Sequence, residues 1–152
     1  MIDIANDVME MVTKAVTASY PSAEIGGEYE DLPATFPAVT VEEADNSVYQ
    51  KMSTANIENA VSVMYQVKVY SNKVVGRKAE ATNIMRLIDN AFLSHGFRRM
   101  TMAHIQSVGN INVSNAKNTS NSKLYCIVAR YTGIVGVNTD ALGSQSYFIY
   151  QN

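Results

Sequence analysis

Between Val61 and Tyr70 apolar and polar positions alternate strictly. Val61, Val63, Tyr65, Val67 and Val69 fall on one side, and Ser62, Met64, Gln66, Lys68 and Tyr70 on the other. A period of two predicts a strand with a buried valine face and a mixed face that meets water or another subunit. From about Arg77 to Ser94 the period becomes that of a helix, with Ala81, Ile84, Leu87, Ile88, Ala91 and Phe92 in one stripe and His95-Gly96 as the stop. Ile4, Val8, Met11, Val12 and Ala15 form another helical stripe, which predicts a first helix over about Ile2 to Ala18. Asp3, Asp7 and Glu10 favour its positive end, and Ser19-Tyr20-Pro21 closes it.

The remaining segments carry weaker signals. Ala23 to Tyr29 predicts a short strand interrupted by Gly26-Gly27, and Asp31 to Pro37 a loop stiffened by two prolines. Ala38 to Glu43 predicts a strand with Val39 and Val41 on one face. Ala44 to Asn59 is polar and poorly periodic, either a long loop or the tip of an extended hairpin. Phe97 to Gln106 and Leu124 to Val135 predict strands, separated by the Asn-, Ser- and Gly-rich loop Ser107 to Ser122. The apolar segment Gln145 to Tyr150 predicts docking on the chain's own sheet or on a neighbouring subunit. The order helix, strands, helix, strands lacks regular βαβ alternation. The expected fold is α+β, a mixed, largely antiparallel sheet with two helices packed on one face. Residues 1–137 form one expected domain and 138–152 a C-terminal tail.

Composition narrows the function classes. The chain has 152 residues, 47% of them hydrophobic and 17% charged, enough for a sizeable core. The net charge of −2 opposes broad affinity for nucleic acid, which normally shows as a basic stripe. Cys126 is the one cysteine, so no internal disulfide forms; a reducing compartment or a disulfide-free extracellular particle fits. No apolar run approaches the roughly 18 residues of a membrane helix. The N-terminus carries acids where a signal peptide carries Lys or Arg, so the expected site of synthesis and assembly is the cytoplasm.

Catalytic and metal chemistry find little support. His95 stands at a helix C-terminus, where a cation is favoured. Neither it nor His104 has a second ligand at metal-binding spacing. Cys126 alternates with apolar residues and reads as a small buried hydrophobe; a Cys–His pair would need His104 beside it on an adjacent strand. The acids Glu24, Glu28, Glu30 and Asp31, and Glu42, Glu43 and Asp45, read as solvated loop acids rather than a divalent cation site. Val75-Gly76-Arg77-Lys78 lacks the glycine spacing of a phosphate cradle. No cofactor is expected, and an enzyme is the least favoured class.

The segments VYSN (Val69–Asn72), GRKAEA (Gly76–Ala81), IDNAF (Ile88–Phe92), HGFRR (His95–Arg99) and YCIVARYTGIV (Tyr125–Val135) together resemble the tail terminator proteins, also called tail completion or minor capsid proteins, of long-tailed phages and prophages. The likeness is loose in motif but spans most of the domain, with the first helix and FPAVTVEEADNS (Phe36–Ser47) in the same layout. It implies a small α+β virion protein that assembles as a ring, usually a hexamer. Such a ring caps the completed tail tube and offers a docking surface to the head-side connector. The implied partners are further copies of the chain, the tail tube protein, the connector protein and DNA in the channel; no membrane partner is implied.

A ring is a head-to-tail assembly, so each subunit needs two different complementary patches. The candidate interface residues are Val48, Tyr49, Lys51 and Met52 in the polar segment, Arg77, Lys78, Arg98 and Arg99 in a basic group, and Tyr147, Phe148 and Tyr150 in the tail. The basic group reads either as a solvated face or as a contact with a neighbour or with DNA. The alternatives are a head-closure or adaptor protein, a tail tube subunit, and a nucleic-acid-binding module. The last needs aromatics on an open sheet face, whereas Tyr65 lies on the valine face.

Overall fold

The computed structural model describes residues 1–27, 35–49, 59–105, 124–139, 141–143 and 145–150. Helix α1 spans Ala5–Thr17, and strands β1 (Glu24–Gly26), β2 (Ala38–Val48) and β3 (Ala60–Ser71) follow. Helix α2 spans Arg77–Ser94, and β4 (Arg98–Ile105), β5 (Tyr125–Thr139) and β6 (Gln145–Ile149) complete the described elements. They form one mixed sheet in the order β1-β2-β3-β5-β4, with β6 also paired to β5. Every pairing is antiparallel except β1 with β2. The fold is therefore α+β.

Helix α1 starts later than the periodicity predicts. Asp3 Oδ1 accepts the Ala5 amide at 2.9 Å, so Ile2 to Ile4 form a lead-in whose two isoleucines are already buried. Val8, Val12 and Val16 then repeat every four residues and sink into the core. Helix α2 begins at Gly76, whose φ of 84° is the left-handed conformation glycine adopts without cost. Its first turn is tied to the end of β3 by Ser71 Oγ donating to Glu80 Oε1 at 2.8 Å. It ends on Gly96 at φ 92°, with the Phe97 amide bonded to the Phe92 carbonyl and the Gly96 amide to that of Leu93. This pattern satisfies carbonyls that a helix end otherwise leaves unpaired. The Phe92 and Phe97 rings close it edge to face at 5.1 Å.

The valine face of β3 packs with Val39 and Val41 of β2, with Ile127, Ala129, Tyr131 and Val135 of β5, and with the apolar stripes of both helices in one buried cluster. Each buried aliphatic side chain contributes roughly 1.5–3 kcal/mol against exposure. Phe92 lies at the centre, stacked on Tyr131 at 4.2 Å. The other sheet face carries a smaller cluster of Ala38, Tyr70 and Cys126 with Phe36 and Val128 against it.

Two strands differ from their predicted extents. The polar segment after Glu43 continues β2 to Val48, and the Tyr49 amide bonds the Ala60 carbonyl across the hairpin. Of the two readings of Ala44–Asn59, its described ends form an extended hairpin. Hydrophobic alternation fails there because most of these residues face water, and a bulge between Glu43 and Asp45 shifts the phase. Strand β5 runs on past Val135 to Thr139, and β6 pairs with that extension.

Candidate interface surfaces

Adjacent strand residues point to opposite faces, and this separates the basic pair at the start of β4. Arg99 lies opposite Tyr131 on the helix-covered face, whereas Arg98 lies opposite Thr132 on the open face. Arg99 Nη1 reaches Asp89 Oδ2 of α2 at 3.0 Å, and Asp89 Oδ1 accepts the Tyr131 hydroxyl at 2.9 Å. Asp89 is only 13% exposed against 46% for Arg99, so the arginine neutralises a carboxylate that is largely withdrawn from water. Burial, and then the hydrogen bond to Asp89, raise the Tyr131 phenol well above its ordinary value of 10.0. Tyr65 repeats the arrangement further along the sheet. Its hydroxyl donates to Glu43 Oε2 at 2.7 Å, and burial with that bond raises it likewise.

The basic group expected to act together is thus divided. Arg77 and Lys78 open α2 and Arg98 and Arg99 follow its other end, so the length of that helix, about 27 Å for its 18 residues, separates the two pairs. Arg86 is exposed and donates to Asn83. Arg98 is exposed on the open face and has no ion-pair partner among the described residues.

The C-terminal candidates separate in the same way. Phe148 and Tyr150 pack edge to face, 4.7 Å between ring centres, over Gly136 of β5. A Cβ at Gly136 would sit 2.6 Å from the Phe148 ring and 2.7 Å from that of Tyr150. Tyr147 alternates to the helix-covered face, opposite Val137, and stays 39% exposed. Together with Ile4, Val8, Met11, Ala15 and Ala91 it borders a groove of about 1010 Å³ between α1, the end of α2 and β6. Val48 is exposed and Tyr49 half-buried at the far end of β2. Lys51 and Met52 lie outside the described residues, as do Glu28, Glu30 and Asp31 of the acidic cluster and the Ser107–Ser122 loop.

The strand predicted over Phe97 to Gln106 is present as β4, but its place at the outer border of the sheet was not predicted. On the side of β5 away from β3, β4 and β6 lie end to end. All residues of β4 are exposed, and among the described residues no strand pairs with its outer edge. Met100, Met102 and Ile105 leave 37% to 54% of their surface in water, Met102 on the helix-covered face and Ile105 on the open face. Exposed apolar residues on a border strand whose outer edge has no strand partner among the described residues are what edge strands ordinarily avoid. The signal available in the sequence was FRRMTMAHI itself, a strand with apolar residues on both faces.

The geometry also bears on the Cys–His pair. His104 registers with Ile127 and Ile105 with Cys126, which sends His104 and Cys126 to opposite faces. His104 stacks on Tyr125 at 4.1 Å. Burial pushes the Cys126 thiol up to about 11, away from the nucleophilic thiolate. His95 Nδ1 lies 2.8 Å from the Ala91 carbonyl at the end of α2. Glu24 accepts both the amide and the hydroxyl of Thr35. Among the described residues no three acids, histidines or cysteines gather as a metal site, and no helix is long and apolar enough to cross a membrane. Tyr65 and Tyr131 are both buried beneath the helices and cannot stack on a base.

No protein-family model and no curated protein sequence matches the chain. Among solved structures it is similar to the bacteriophage SPP1 gp17 protein at 14% identity and a TM-score of 0.38, over 84% of this chain and 89% of that one. A likeness of that degree carries no functional argument.

Proposed function

We propose that the protein is a structural component of a phage or prophage virion, a tail terminator whose copies close into a ring on the finished tail tube and dock to the head-side connector. The observation that carries this reading is the sheet's two unlike borders. Among the described residues, one border is the apolar and basic strand β4. The other, beyond the three residues of β2 that β1 covers, is the acidic stretch of β2 from Val41 to Val48. Unlike borders suit head-to-tail association, which closes into a ring when the rotation between copies divides the circle. The resemblance of Val67–Met100 and Tyr125–Val135 to tail terminators supports the same role. In this reading Arg98, Arg77 and Lys78 meet an acidic neighbour or the DNA in the channel, and the ring belongs to the neck of the virion, assembled in the host cytoplasm.

Purified tails lacking their head-proximal cap test the proposal. Added protein is expected to appear by electron microscopy as extra density at one end of each tail and to restore joining to heads. Protein that binds along the tube, or leaves the tail ends bare, contradicts the role.

A further inference from the structure

Two features of the sheet borders bear on how neighbouring copies meet. The first is strand direction. β2 is antiparallel to β3, β3 to β5, and β5 to β4, so β2 and β4 run in opposite directions at the two borders. A head-to-tail step that carries the sheet onward preserves directions and faces. It therefore lays β4 of one copy antiparallel to β2 of the next, in the alternating hydrogen-bond pattern of such a pair. The second is charge. The exposed stretch of β2 carries Glu42, Glu43 and Asp45, while β4 begins with Arg98 and Arg99. Glu43 and Arg99 are engaged within the subunit by Tyr65 and Asp89. Glu42, Asp45 and Arg98 are exposed, and all three lie on the open face: Glu42 opposite Gln66, Asp45 opposite Met64, Arg98 opposite Thr132.

We infer that β4 of one subunit pairs antiparallel with the Val41–Val48 stretch of β2 in its neighbour, and that Arg98 meets Asp45 across this joint. In an antiparallel pair the start of β4 lies beside the end of β2, so Asp45 is the open-face acid nearest Arg98; directly opposed or diagonal side chains reach one another. The same pairing takes Met100, Met102 and Ile105 of β4 and Val48 of β2 out of water. It satisfies two rows of backbone groups that have no strand partner among the described residues. The partner is a second copy because both halves of the joint, complementary in charge and opposed in direction, stand on one chain. The inference rests on the ring reading and specifies its contact.

Charge exchange tests it in the full chain. Self-association is followed by sedimentation velocity over a concentration series for wild type, Arg98→Asp, Asp45→Arg and the double variant. Each single variant is expected to weaken assembly roughly tenfold by placing like charges together, and the double variant to restore it. All three should keep the wild-type circular dichroism spectrum, since both side chains are exposed. As a second readout, mixing Arg98→Cys chains with Asp45→Cys chains should give a disulfide-linked dimer that neither forms alone. A wild-type ring that is indifferent to every substitution and yields no mixed disulfide overturns the pairing and leaves the ring reading standing. A chain that is monomeric at all concentrations and absent from tail ends overturns both.

Discussion

Tyr131 stands where β5, α2 and β4 meet, and its two ends do different work. The ring stacks on Phe92 inside the core, while the hydroxyl reaches the rim and donates to Asp89, which Arg99 neutralises from the other side. Tyr131→Phe keeps the packing but leaves Asp89 with one donor fewer. The expected cost is about 1.5–3 kcal/mol in urea unfolding, the range for a hydrogen bond to a charged group. The pH dependence has a definite sign. Both Tyr131 and Tyr65 are raised above 10.0 in the folded chain, so the unfolded chain loses its phenolic protons first. Their contribution is fully present below pH 10 and falls as pH rises beyond it. Unfolding followed across pH 9 to 11 should show stability dropping on the alkaline side, with a shallower drop in Tyr131→Phe.

At the scale of elements, β6 is the attachment most open to change. It is held by its pairing with Val135–Thr139 and by two rings lying over a glycine. Gly136→Ala places a methyl against the ends of the Phe148 and Tyr150 rings, which must shift to admit it. Overpacking of this kind costs about 1–3 kcal/mol. The expected result is faster hydrogen exchange at the β6 amides with little change in β3. Equal acceleration in both strands would mean that β6 is integral to the core rather than docked on it.

The legibility of these elements in the sequence follows from how they are buried. β3 and α2 were readable because each buries one face, which stamps a period of two or near four on the residues. The second half of β2 was not, because a border strand solvated on both faces carries no such pattern. Bulges at Ala44 and Met100 depend on the partner strand and leave no mark in their own segments. Among the interface candidates, the period of two already implied that Arg98 and Arg99 part to opposite faces. Only the tertiary structure shows that Arg99 is engaged by Asp89, ten residues back on α2.

Among the described residues, the helices and valine face bury one continuous core, while the acidic stretch of β2 and the basic and apolar residues of β4 stand exposed at the two borders of the sheet. This arrangement separates stability from assembly. Substitutions under α2 should change unfolding, whereas substitutions at Arg98, Asp45 or Met102 should change association and leave unfolding nearly untouched. In the proposed role, copies of this chain join through two unlike surfaces into a closed ring. The mass distribution of the intact protein by native mass spectrometry, recorded as concentration is raised, tests it most directly. A single discrete homo-oligomer whose mass stops growing once formed is the expected result, and a ladder of ever larger species would contradict the closed ring.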